Sequence, residues 1–514
     1  MKPVRLMSGF FTVSGWTLLS RVLGFVRDAM ILALVGTGPV YQAYVVAFRL
    51  PNMFRRFFAE GAFNMAFVPM FAKRLEGGDD PDGFASGAFA GLATVLIALT
   101  MLALAAMPWL IFALASGFTG QEEFALSVEF GRIAFPYVLF ISLAALLSGM
   151  LNAAGRFAAA AAAPVLLNVL MITAMTAAAT IGGDVARTLV WMIPVAGVAQ
   201  FALLWVAAKR AGFRITLRRP RITPEMKHLV RVAIPAALAG GVVQVNLLVG
   251  QQVASYFDKA VGWLYAADRL YQLPLGVVGI AIGIVLLPDL SRRLKAEDED
   301  GSKQALSRAG EIALALTIPA SFALVIVPVP LVSVLFERGA TTAEDTQAIA
   351  LAVALYGLGL PAFVLQKIVQ PIFFAREDTR RPFHYALVSM LANAAIAISL
   401  APMVGWYAPA IATTISAWVM VALLNRGAKT YGDAVKFDDR LHHRIWRMVL
   451  ASAVMGAVLW LTAVALGPIF ALPWWRALAL LILVAVGLAS YFGAGQLLGA
   501  FRLSELKSAM RRSS

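Results

Sequence analysis

Fourteen long apolar runs follow one another along this chain, each closed by a charged or Gly/Pro-rich break. A helix needs about 20 apolar residues to cross a bilayer, and in lipid only helices and closed barrels satisfy their backbone hydrogen bonds internally. The runs therefore predict spans at 8–35, 40–72, 85–117, 124–153, 159–182, 187–208, 227–257, 262–291, 305–336, 344–375, 382–404, 408–427, 445–467 and 473–500. Composition agrees: 61% of residues are hydrophobic and 14% charged, against about 25% charged in a soluble domain. The expected fold is an all-α polytopic membrane protein.

Charge sorts the connections into two alternating sets. One holds Lys73 and Arg74, Arg156, "KRAGFRITLRRPRITPEMKHLVR", "SRRLKAEDEDGSK", "REDTRR", "NRGAKTYGDAVKFDDRLHHR" and both termini. The other holds "GTGP", "SGFTGQEE", "IGGDVAR", "FDKAVG", "FERGATTAED", "MVGWYAP" and "GPIFALPWW", with few basic residues. Basic loops stay cytoplasmic, so both termini are expected in the cytoplasm. The net charge of +15 then reflects topogenic loops rather than nucleic-acid binding. The opening "MKPVRLMSGFFTVSGWTLLSR" has a basic end and an apolar run, but Arg21 breaks the run and no small-residue cleavage site follows. It reads as a retained first helix. Trp109, Trp406, Trp474 and Trp475 near span ends fit an interfacial belt.

A weak repeat links the halves. "FRLPNMFRRFFAEGAFNMAFVPMFAKRL" (48–75) and "DRLYQLPLGVVGIAIGIVLLPDLSRRL" (268–294) both begin with Arg-Leu near a proline and end in Pro, an apolar pair and a basic pair before Leu. They lie six spans apart, so orientation is preserved. The expectation is two six-helix lobes related by a parallel pseudo-twofold repeat, with a substrate site between the halves as in many transporters. Two extra C-terminal helices fall outside it. The corresponding domains are 1–213, a basic linker 214–224, 225–430, and 431–514.

The spans carry charge. Arg21, Arg27, Asp28, Arg49, Arg55, Arg56, Glu60, Arg132, Arg269 and Lys367 fall within them or at their edges, where a central arginine costs about 2.5–3.5 kcal/mol on insertion scales. Arg56 and Glu60 are spaced to pair on one helix face. Arginines outnumber carboxylates, which predicts a positively lined cavity for an anion. The guanidinium fork suits phosphate or carboxylate. Prolines and glycines in "AEGAF" (59–63), "YQLPLGVVG" (271–279) and "YGLGLPAF" (356–363) predict interrupted helices there. The chain has no cysteine, its four histidines form no spaced ligand set, and there is no G-x-x-x-x-G-K loop. No metal, cofactor or ATPase activity is expected.

"SRVLGFVRDA" (20–29), "RLPNMFRRFFAEGAFNMAFVPMFA" (49–72), "YAADRLYQLPLGVVGIAIGIVLLPDLS" (265–291) and "FFAREDTRRP" (373–382) resemble the MurJ/MviN family of lipid II flippases, across essentially the whole chain. That family belongs to the multidrug/oligosaccharidyl-lipid/polysaccharide exporter superfamily. The resemblance implies a transporter, not an enzyme. It would move undecaprenyl-diphosphate-linked peptidoglycan precursor from the inner to the outer leaflet of the bacterial cytoplasmic membrane. It implies alternating access around a cationic cavity, and a groove for the lipid tail at the last two helices. By motif, Ser20, Arg21, Arg27, Asp28, Arg55, Glu60 and Arg269 correspond to family functional positions. Arg27, Arg55 and Arg269 are the expected diphosphate ligands. Ser20, Arg21 and Lys367 are further substrate-binding candidates, while Asp28 and Glu60 would orient or release the arginines. The resemblance departs at Gln42, where some relatives have an acid, and between Gln244 and Gln252, where the chain has no carboxylate for a sodium site.

Lipid II and membrane lipids are the expected partners, with the cell-wall synthesis machinery as a further one. Nothing in the sequence calls for an oligomer, so a monomer is expected. Coupling to the membrane potential or an ion gradient would supply energy. The alternative function is export of another lipid-linked oligosaccharide or a drug on the same fold. A polyprenyl-phosphate enzyme would need acidic metal ligands or a positioned base, yet "EDED" (297–300) reads as a solvated loop. A channel would need a repeated pore motif, which is not seen.

Overall fold

The computed structural model describes residues 3–56, 62–216, 218–221, 223–295, 298–376, 378–432 and 437–501. Each expected span coincides with one helix or a pair of helices. These are α1 (Pro3–Val35), α2 (Pro39–Arg55), α3 (Ala62–Gly77), α4 (Pro81–Ala105), α5 (Met107–Leu114), α6 (Glu122–Ala134), α7 (Tyr137–Ala153), α8 (Ala158–Ile181), α9 (Val185–Arg210) and α10 (Pro224–Ala254). They continue as α11 (Ala260–Lys295), α12 (Glu299–Ile326), α13 (Pro328–Phe336), α14 (Ala343–Ala375), α15 (Arg380–Val404), α16 (Ala408–Ala428), α17 (Asp439–Ala465), α18 (Gly467–Phe470) and α19 (Arg476–Leu497).

Proline explains three of the places where a single span holds two helices; the junction of α2 and α3 lies outside the described residues. Pro108, Pro136 and Pro328 stand beside the breaks between α4 and α5, α6 and α7, and α12 and α13. Proline has no N–H to donate and its ring crowds the preceding turn. Elsewhere proline is absorbed. Helix α11 runs through 271–279, and α14 runs through 356–363 with Pro361 inside it. The interruptions expected there are absent, while 59–61 lie outside the described residues. Nine stretches among the described residues pass a length and apolarity test for crossing a membrane, and one of them, Arg380–Tyr431, joins two spans.

Burial is inverted relative to a soluble protein. On α1, Leu18 is 62% exposed and Val22 53%, while Arg27 is 7% exposed and Asp28 6%. Trp109, Trp474 and Trp475 are exposed near helix ends. Trp406 instead packs edge-on against Trp263, with ring centroids 5.0 Å apart. Exposed apolar surface of this extent is not tolerated in water but suits lipid.

Contacts divide the chain into two units. The first holds Met1–Gly262 and Arg338–Thr341, the second Trp263–Glu337 and Thr342–Ser514. Helix α10, which the six-span offset assigns to the second half, packs within the first unit, on α3. In the first unit α9 packs on α7 and α8. In the second, six spans later, α16 packs on α14 and α15. Helices α17 and α19 pack together, and α17 lies along α12. Arg444 on α17 reaches the Glu311 carboxylate on α12, which Arg308 also meets at 3.2 Å and Arg440 at 3.7 Å.

Candidate functional site

One face of α1 carries Ser20, Gly24 and Arg27, spaced to lie above one another. That face meets Asn168 of α8. Gly24 lies opposite the Asn168 amide, where a Cβ would make ordinary van der Waals contact at 3.6 Å from Nδ2. The Asn168 amide is shared between two groups of α1. Its Nδ2 donates to the Ser20 carbonyl at 2.9 Å, and its Oδ1 accepts from Arg27 Nη1 at 2.9 Å. The other edge of the guanidinium grips Asp28: Nε lies 3.0 Å and Nη2 2.7 Å from Asp28 Oδ1. A buried charge pair survives only with such geometry, because desolvation opposes it. Asn168 was not singled out in the sequence. A lone polar residue inside the apolar run "PVLLNVLM" is the signal that would have found it.

The other expected residues have local surroundings of their own. Arg55, at the end of α2, donates through Nε to Asn52 Oδ1, one turn back, at 3.2 Å. Arg21 is exposed on α1, and Glu60 lies outside the described residues. In the second unit, Arg269 folds back over Tyr265, its guanidinium carbon 4.4 Å from the ring centroid and its Nη2 2.6 Å from the hydroxyl. Lys367 is exposed on α14. Thus Ser20, Arg27 and Asp28 form one constellation, organised by Asn168.

Gln42 also finds an acid. It is buried in the first turn of α2, and its Nε2 donates to Glu123 Oε1 of α6 at 3.4 Å. In the second unit Trp263, in the first turn of α11, donates from Nε1 to Asp345 Oδ1 of α14 at 2.9 Å. The same number of residues separates Glu123 from Asp345 as separates Gly117 from Gly339. Among the described residues, no group of three or more His, Cys, Asp or Glu is placed to hold a metal ion.

The comparisons with known proteins agree with this architecture. A protein of Rhizobium meliloti, described as a probable lipid II flippase MurJ, is 43% identical over 519 residues, covering 99% of this chain and 97% of its own. One from Burkholderia cenocepacia, described as lipid II flippase MurJ, is 34% identical over 437 residues, covering 84% and 85%. A solved lipid II flippase MurJ in an inward closed conformation superposes with a TM-score of 0.80 at 24% identity, covering 94% of this chain and 98% of that one. A solved structure described as an inward-facing multidrug resistance MATE family transporter of the MOP superfamily gives 0.70 at 16% identity, over 81% and 95%, a likeness of fold. The family described as Lipid II flippase MurJ matches residues 31–485. With that match and 43% identity over nearly its whole length, the chain belongs to the MurJ family.

Proposed function

We propose that this chain is a lipid II flippase, a transporter rather than an enzyme, that carries the diphosphate-linked precursor from the inner to the outer leaflet. The observation that carries the reading is the buried Arg27–Asp28 pair, tied to Ser20 through Asn168, in a chain of this family. A guanidinium held between a carboxylate and an amide is oriented in advance, and an incoming phosphate can displace the weaker partners. Arg27, Arg55 and Arg269 bind the diphosphate, with Ser20, Arg21 and Lys367 assisting. Asp28 and Glu60 orient or release the arginines as the protein changes state. The two lobes, 1–213 and 225–430, alternate access to the cavity, and 431–514 holds the lipid tail. The protein acts as a monomer in the cytoplasmic membrane, with both termini inside, and delivers substrate to the cell-wall synthesis machinery.

With a negative cytoplasm, outward movement of an anion gains about 2.3 kcal/mol per charge per 100 mV. The potential therefore assists export. The test is the leaflet location of lipid II after depletion of the protein, reported by an external enzyme that cleaves exposed lipid II. Exposure should fall, return with the wild-type chain, and fail to return with Arg27→Ala, Arg55→Ala or Arg269→Ala in inserted protein. Unchanged exposure on depletion, with no second flippase present, would overturn the reading.

A further inference from the structure

We propose that Gly117 and Gly339 are the two seats of a reciprocal outer gate, which rests on the transport reading above. Each glycine lies in a short loop pressed against the end of a helix, within the first unit. At the first seat, the turn 116–118 docks on the C-terminal end of α10. The Ser116 N–H donates to Gln252 Oε1 at 3.0 Å, and the Gly117 N–H donates to Ser255 Oγ at 3.0 Å. The Ser116 and Tyr256 hydroxyls bond at 2.7 Å. A Cβ on Gly117 would overlap the Ser255–Tyr256 peptide.

At the second seat, the segment 338–341 docks on the C-terminal end of α1. The Ala340 N–H donates to the Ala33 carbonyl at 2.8 Å, and Thr341 Oγ1 donates to the Leu32 carbonyl at 2.8 Å. A Cβ on Gly339, whose φ is +59°, would overlap the Ala33 carbonyl oxygen.

The seats are copies of one another. The spacing from Gly117 to Gly339 equals the spacing from Ala33 to Ser255. The loop after the third span of the first half thus holds the end of the seventh span. The loop after the ninth span holds the end of the first in the same way. The two loops fall in connections poor in basic residues, and the two helix ends lead into two more, all of which the charge rule places outside the cytoplasm. Each seat joins chain from both halves of the repeat by backbone-centred hydrogen bonds across a surface only glycine permits. Such a contact has two discrete states, seated or parted, because a packed interface does not deform continuously. Seated, it closes the outer side while substrate loads from the cytoplasm. Parted, it lets the outer ends of the first and seventh spans separate.

The chain has no cysteine, so an Ala33→Cys/Ala340→Cys variant can be locked, in cells depleted of other flippases, with a short bis-methanethiosulfonate, each thiolate forming a disulfide and expelling methanesulfinate. Lipid II exposure should fall at least tenfold on cross-linking and recover on reduction. Ser255→Cys with Phe118→Cys, the equivalent positions of the other seat, should respond alike and serves if the first pair fails to insert. Exposure that persists undiminished in fully cross-linked protein overturns the gate. Failure of the wild-type chain to expose lipid II in the same cells strikes the transport reading instead.

Discussion

Arg27 on α1 and Asn168 on α8 meet through a hydrogen bond, Nη1 to Oδ1 at 2.9 Å, while the Nε and Nη2 edge of the same guanidinium meets Asp28 Oδ1. The same amide holds the Ser20 backbone. One uncharged residue therefore sets the direction of a charge that is only 7% exposed.

Asn168→Leu should leave Arg27 Nη1 and the Ser20 carbonyl without this partner, at a cost of about 1–3 kcal/mol. Lipid II exposure should drop about tenfold in protein inserted at the wild-type level. The effect should nearly vanish in an Arg27→Ala background, because both changes remove the same oriented charge. A double-mutant cycle on exposure rates checks this, and additive losses would count against it.

Arg27→Lys should fail almost as fully as Arg27→Ala. An ammonium is a point charge and cannot hold Asp28 along one edge and Asn168 on another. Asp28→Asn should also destabilise the fold, since removing one partner of a buried pair costs about 3–5 kcal/mol. Thermal unfolding in detergent separates the two cases: Asp28→Asn lowers the midpoint, while Arg27→Lys lowers exposure with a smaller shift.

The spans were legible because lipid imposes length and apolarity on every crossing helix. The charges at Arg27 and Asp28 were legible because nothing else in α1 explains them. Asn168 was not, because its importance depends on α1 lying across from it, with the Ser20 carbonyl and Arg27 within reach of its amide. The glycine seats were hidden for a similar reason. "SGFT" and "RGAT" look like ordinary loops, and only their docking on Ser255 and Ala33 relates them. Proline was ambiguous: Pro108 breaks a helix while Pro361 is carried inside one, because neighbouring helices can absorb a missing donor at membrane depth.

Glu311→Ala should loosen the C-terminal helices. One carboxylate on α12 receives Arg444 and Arg440 of α17 and Arg308 of its own helix. Without it, Arg444, whose side chain is 12% exposed, loses this charge partner, and α17 loses a tie to α12. Protease sensitivity of the 429–439 connection should rise. Glu311→Gln should lie between wild type and Ala, since the amide keeps an acceptor but not the charge.

The motif "FFAREDTRRP" ends in a knot that predicts a pH response. Asp378 Oδ2 accepts from the Tyr431 hydroxyl at 2.6 Å, and Oδ1 accepts from the Arg381 N–H at 3.1 Å. The guanidinium carbons of Arg376 and Arg381 stand 4.6 Å and 5.4 Å from the Tyr431 ring centroid. The Tyr431 hydrogen bond, then the Arg381 backbone N–H, hold the Asp378 carboxyl below its ordinary range. A depressed carboxylate adds stability above its unfolded pKa and loses it as pH falls through the folded value. The link between 378 and 431 should therefore hold at neutral pH and release only in acid, below the range where free aspartates titrate. In the same contact, burial and then Asp378 push the Tyr431 phenol up, so it should stay protonated beyond the usual tyrosine range. Carboxyl-labelled NMR in detergent checks the first point, and ultraviolet titration of tyrosine the second. Tyr431→Phe should return Asp378 toward ordinary titration, and an unmoved aspartate in that variant would assign its shift to the arginines instead.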